Sequence, residues 1–166
     1  MVITTYYLEM HSAAQIRGKP LPAELEVREC ELKQYQFNRF LYQWVGAPWH
    51  WTDNLKWSDG QWQALIEQPN HRTWVAYVQG GIVGYYELLR RDDAVEILYF
   101  GLLERFCGQG WGGALLSHAL HAAWAWPGTQ RVWLHTCTVD HPHALANYQA
   151  RGLQLYRQVE GEEQLD

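Results

Sequence analysis

Apolar and polar positions follow one another along this chain in blocks of period two, period three to four, or unbroken runs. Val2 to Leu8 is rich in β-branched and aromatic residues and predicts a strand, and the segment through Lys19-Pro20-Leu21-Pro22 predicts a loop. A second strand is expected over about Leu25 to Glu31. Between Leu32 and Val45 the apolar residues Phe37, Phe40, Leu41, Trp44 and Val45 return at helical spacing, and Gly46 and Pro48 end that helix. Ser58 opens a short helix through Trp62, Leu65 and Ile66. Arg72 to Gln79 and Ile82 to Leu89 are β-rich runs joined through Gly80-Gly81, a tight-hairpin signal. Arg90 to Asp93 makes another turn, and Ile97 to Leu103 is almost unbroken apolar, as in a strand buried on both faces. Leu115, Leu116, Ala119, Leu120 and Ala123 then mark one helix face, closed by the stop Trp126-Pro127-Gly128. Arg131 to Val139 is extended, and Pro142 begins a last helix carrying Ala144, Leu145, Tyr148 and Gly152. Gln154 to Val159 predicts a final strand, with residues 160–166 expected to fray.

Composition narrows the classes. A chain of 166 residues is most simply one domain, 1–166, with enough length to bury a core. Lysine plus arginine number 13 against 18 acidic residues, giving a net charge of −5 and no basic stripe, which argues against nucleic acid as partner. The cysteines Cys30, Cys107 and Cys137 are odd in number and far apart, which suits a reducing compartment and makes the cytoplasm the default address. No apolar run reaches membrane-spanning length, and the N-terminus lacks the basic start and apolar core of a signal peptide.

The chemistry concentrates in Glu96 to Leu116. There an apolar strand stops at Glu104 and Arg105, glycines follow at 108, 110, 112 and 113, and a helix begins. A helix N-terminus presents amides with no intrahelical partners and a positive dipole end, and glycines let a bulky anion reach the backbone. A phosphate or pyrophosphate is the expected guest.

These residues resemble the GCN5-related N-acetyltransferases, whose acetyl-CoA pyrophosphate loop reads Arg/Gln-x-x-Gly-x-Gly/Ala after the fourth strand. Two registers fit. Arg105 with Gly108 and Gly110 matches the letters; the fuller Arg-Gly-x-Gly-x-Gly form matches Gly108, Gly110 and Gly112 better and puts Cys107 where the Arg or Gln belongs. The second is preferred. A second local match is His141-Pro142-His143-Ala144 through Tyr148 to Gly152-Leu153, similar to the family's Asn-x-x-Ala-x-x-x-Tyr-x-x-x-Gly-Phe signature, with His141 and Leu153 as departures. The resemblance covers the chain from about Leu25 onward. It implies an α/β (α+β) fold with a central mixed, mostly antiparallel sheet flanked by helices, to which residues 1–24 add an N-terminal strand and loop.

By resemblance the activity is N-acetyl transfer from acetyl-CoA to a primary amine of a small molecule or peptide, by direct attack. Acetyl transfer needs a neutral amine, a stabilised carbonyl oxygen and a protonated leaving thiolate. Glu96 is the candidate general base, the amide of Leu102 the candidate oxyanion donor, and Tyr148 the candidate acid. Coenzyme A would be held by Leu102, Leu103, Cys107, Gly108, Gln109, Gly110, Trp111, Gly112 and Gly113. Cys107, beside a helix N-terminus, is expected to carry a lowered thiol pKa and to be the most readily alkylated cysteine. A non-catalytic acyl-CoA-binding or sensor module on the same fold is the alternative, and the acceptor, the acyl-chain limit and homodimer formation stay open.

Other constellations weigh less. His118 and His121, and the set His135, Cys137, His141 and His143, lack metal-ligand spacing, so no metal is expected. Gly108-x-Gly110-x-x-Gly113 spells a dinucleotide fingerprint, but Asp140 comes too late and antiparallel strands precede it. No Gly-Lys-Ser/Thr follows, which excludes a P-loop. Trp49, Trp51 and Trp57 either pack as a lid on the core or wall an acceptor pocket that could hold a cation.

Overall fold

The computed structural model describes residues 2–162. The periodicities become β1 (Val2–Met10), β2 (Leu25–Glu29), α1 (Tyr35–Gly46), α2 (Asp59–Ile66), β3 (His71–Val78), β4 (Gly81–Arg91), β5 (Ala94–Leu102), α3 (Trp111–Ala125), β6 (Arg131–Cys137), α4 (Ala144–Ala150) and β7 (Gln154–Glu162). One open, mixed sheet holds all seven strands in the order β2-β3-β4-β5-β6-β1-β7. Its one parallel contact is between β5 and β6; the other neighbours run antiparallel.

The helices cover both faces. The α3 residues with helical spacing, Leu115, Leu116, Ala119, Leu120 and Ala123, are all fully buried and pack with Leu88, Val95, Ile97 and Val132. On the opposite face α1 sends Leu41 and Val45 against Val75, Tyr85 and Leu103, and Tyr42 meets Trp62 and Ile66 of α2. Ser58 caps α2: its Oγ accepts from the Gln61 N–H while Gln61 Oε1 accepts from the Ser58 N–H, a reciprocal pair that fixes where the helix starts.

Several boundaries differ from expectation, each for a local reason. The β3–β4 turn consists of Gln79 and Gly80, with φ of 50° and 79°, because Gly81 is already paired with Val78. Both central residues of such a turn need positive φ, so the turn lies one residue earlier than Gly80-Gly81. The last helix begins at Ala144, since the Ala144 N–H closes a turn on the His141 carbonyl. The sheet continues through Glu160, Gly161 and Glu162, which pair with Thr4, Ile3 and Val2, so these three are not frayed; residues 163–166 lie outside the described residues. The added strand β1 does not extend an edge. It is inserted between β6 and β7, with Leu8 and Met10 fully buried.

The feature that makes a site is the separation of β5 from β6. They pair over Ala94–Glu96 and Arg131–Trp133 alone, after which β6 continues along β1 from Met10 back to Thr5. From Ile97 onward the edge of β5 that faces β6 has no ladder partner among the described residues, and a cleft opens there.

Candidate active site

Leu98 is a β-bulge: Tyr99 pairs with Glu87 and Ile97 with Leu88, leaving Leu98 opposite nothing. Paired residues share a face, so the bulge puts Glu96 and Tyr99, three positions apart, on the same side of the sheet. Beyond it the Leu103 N–H donates to the Val83 carbonyl at 2.8 Å. Alternation along an antiparallel strand then turns the Phe100 and Leu102 amides away from β4, toward the opening.

The wall of this cleft includes Phe100, Gly101 and Leu102 of β5, then Cys107, Gly108, Gly110, Gly112 and Gly113, and, across from them, Asp140, His141, Asn147 and Tyr148. Gly110 caps α3 with φ +81°, a left-handed conformation that favours glycine, and its helix amides begin at Trp111. The loop positions Cys107, Gly108, Gly110 and Gly112 thus share one cavity. Arg105 does not join them; its guanidinium lies 4.8 Å above the Phe106 ring.

One expectation about this loop, the lowered pKa of Cys107, needs correction, and three of the predicted residues lie outside the cavity wall. Leu103 is not part of the wall: its amide is used by Val83 and its side chain packs with Leu41, Val45, Val75 and Tyr85. Gln109 is exposed and Trp111 stacks on Phe106 at 5.7 Å, so neither lines the cavity. The Cys107 thiol is not acidified. Partial burial, with Glu104 adding to it, pushes its pKa up, and Sγ donates to the Leu103 carbonyl.

Glu96 sits where β5 and β6 part, 5% exposed. Burial raises its pKa to about 7, opposed by Arg91, whose guanidinium is 4.0 Å away. His135 Nε2 lies 4.0 Å from its other oxygen, and partial desolvation of this half-exposed imidazole lowers its pKa against the opposing pull of Asp53 and Asp140. A carboxyl poised near neutrality can take up a proton in the pH range where enzymes work. Tyr148, on α4, is 5% exposed with its ring edge-on to Phe100. Burial, then Asp140 and Cys137, hold its hydroxyl firmly protonated, which is the state an acid needs.

A second cavity adjoins the cleft at Tyr148 and forms its aromatic mouth. There Tyr42, Trp49, Trp51, Tyr99 and Phe100 surround a space that also meets Asp53, His135 and Asp140, with no lysine or arginine in its wall. The tryptophan-rich stretch thus divides: Trp49 and Trp51 wall the cleft, whereas Trp57 packs on Trp62 at 5.2 Å. Asn54 anchors the stretch, its side-chain amide donating to the Tyr99 hydroxyl and its backbone N–H to that of Tyr42. Sequence reasoning missed Lys19, Asp140 and Asn147 as wall residues. Only Asn147 carried a signal, as the neighbour of Tyr148 in the second motif. Among the described residues no group of three His, Cys, Asp or Glu side chains is placed to hold a metal ion.

Solved structures share this architecture. A GCN5-related N-acetyltransferase from Sphaerobacter thermophilus superposes with a TM-score of 0.69 at 16% identity, covering 95% of this chain and 50% of its own. One from Kribbella flavida gives 0.65 at 16% identity, covering 92% of this chain and 54% of its own. The chain therefore spans about half the length of these two relatives. An aminoglycoside acetyltransferase from an uncultured soil metagenomic sample gives 0.62 at 19% identity, over 77% of this chain and 87% of its own. No match to a curated protein was found. The model of the Acetyltransferase (GNAT) family matches residues 38–153, most of the length, and on that match the chain belongs to this family.

Proposed function

We propose that this protein transfers an acetyl group from acetyl-CoA to a primary amine of a small molecule or peptide by direct attack. The observation that carries the reading is the opening between β5 and β6, walled by Leu102 and Tyr148, with Glu96 buried where the strands part and 4.0 Å from the His135 that lines the adjoining aromatic cavity. Acetyl-CoA, a substrate here, would supply the activated thioester. The residues present fit it: glycines at 108, 110 and 112 leave the backbone at the start of α3 open to a pyrophosphate, although Cys107 supplies no phosphate donor comparable to Arg or Gln.

In this reading the Leu102 N–H, free of β4, donates to the thioester carbonyl oxygen as it gains charge. Glu96 accepts the amine proton, through water, and so keeps the nucleophile neutral. Tyr148 donates its hydroxyl proton to the leaving sulfur. The second mouth suits the amine. Its aromatic rings and the carboxylates of Asp53 and Asp140 favour a cation approaching, and the ammonium form binds before it loses its proton. The test is a screen of primary amines that follows free CoA release from acetyl-CoA. Release stimulated by at least one amine class supports the reading; acetyl-CoA binding with no release for any amine favours a non-catalytic acyl-CoA-binding module.

A further inference from the structure

The glycine loop lacks the Arg or Gln side chain of its motif, yet a cation reaches the same place from a distant part of the chain. The arm between β1 and β2 crosses the outer face of α3. It is a built segment: Ser12 and Gln15 cap each other, the Arg17 N–H donates to the Arg151 carbonyl at 2.9 Å, and the Lys19 N–H donates to Ser117 Oγ at 2.8 Å. Ser117 is buried in α3 and its hydroxyl donates to the Gly113 carbonyl at 2.8 Å, so the arm is tied to the first turns of that helix. From there the Lys19 side chain runs across Gly113 toward Gly110. A Cβ at Gly113 would lie 2.9 Å from Lys19 Cδ, so the glycine gives the stem this path and a larger residue would make the flexible lysine shift. Nζ ends 3.5 Å from the Gly110 carbonyl, a long contact that leaves the exposed ammonium able to take a better acceptor. Lys19 is the one lysine or arginine in the cleft wall among the described residues.

We propose that Lys19 supplies the side-chain cation for the pyrophosphate of coenzyme A, in the role that Cys107 cannot fill. The inference rests on the acetyl-CoA reading. A lysine ammonium recognises phosphate as a point charge, and the helix N-terminus adds amide donors beside it. The experiment is isothermal titration of the full chain and of Lys19→Met and Lys19→Arg with three ligands: CoA, dephospho-CoA and S-acetylpantetheine, which has no pyrophosphate. Methionine keeps most of the stem over Gly113, and unchanged melting of the free variant confirms that the arm stays docked.

Lys19→Met should bind CoA and dephospho-CoA about tenfold more weakly and S-acetylpantetheine as well as wild type, and Lys19→Arg should recover most of the loss. The CoA affinity of wild type should fall with added salt more steeply than that of Lys19→Met. Equal CoA affinity in wild type and Lys19→Met overturns the proposal. So does an equal loss for all three ligands, which would make Lys19 a packing residue, or a loss confined to CoA, which would make it a reader of the 3′-phosphate. Wild type that binds S-acetylpantetheine but not CoA, or none of the three, overturns the acetyl-CoA reading itself.

Discussion

At the residue scale the informative groups are those whose environment departs from what their type ordinarily meets. Glu96 is a carboxyl that burial raises to about pH 7, so the proposed reaction should speed up as pH rises through about 7 and that limb should vanish in Glu96→Gln. The same substitution should lower turnover roughly 10²- to 10⁴-fold with acetyl-CoA affinity nearly unchanged, as should Tyr148→Phe; steady-state rates and calorimetry check both. Stability gives a second readout. Because the folded protein holds the Glu96 proton more tightly than the unfolded chain does, this group makes stability fall as pH rises from about 4.5 to about 7. Glu96→Gln should therefore flatten a plot of melting temperature over that range. Cys107 carries a converse expectation. With its pKa raised by burial, iodoacetamide should label it at pH 7 no faster than an unstructured thiol, as peptide mass spectrometry would show. Glu96 and Tyr148 were visible in the sequence through motif spacing. Lys19 was not, because a loop residue gains its meaning from what the arm is tied to, and Ser117 gives no sign of that at a distance of 98 positions.

At the element scale, local periodicity was legible and register was not. The face of α3 was evident from its spacing because a helix that covers a sheet must present one continuous apolar stripe, and Leu120→Ala should destabilise by about 2–5 kcal/mol in a denaturant melt. The turn at Gln79-Gly80 was misplaced by one residue since two adjacent glycines compete for it and only cross-strand pairing decides. The bulge at Leu98 was invisible for a related reason. Strict alternation would send Glu96 and Tyr99 to opposite faces, and an extra residue in an apolar run leaves no trace in composition. That bulge matters for the site, because it sets Glu96 on the same face of the sheet as Tyr99, which walls the aromatic mouth. The place of β1 could not be read either: a strand carries its own pattern but not the identity of its neighbours, and insertion between β6 and β7 is settled by long-range pairing.

At the scale of the whole molecule, the acidic charge and the single cation of the cleft set the expectations for ligands. Acetyl-CoA at a hundredfold excess over its dissociation constant should stabilise the native state by about 2.7 kcal/mol, while NAD should leave melting unchanged. No helix among the described residues is long and apolar enough to cross a membrane. The parting of β5 and β6 has a further consequence for rates. Phe100, Trp49, Trp51, Asp140 and Tyr148 border both cavities, so in the proposed reaction the two reactants would occupy adjoining spaces that meet at these side chains. Neither has to leave before the other arrives, and no side chain need carry the acyl group in the interval. Double-reciprocal plots of initial rate against one reactant at several fixed levels of the other should therefore intersect, whereas parallel lines would point to an acylated protein that this arrangement gives no reason to form.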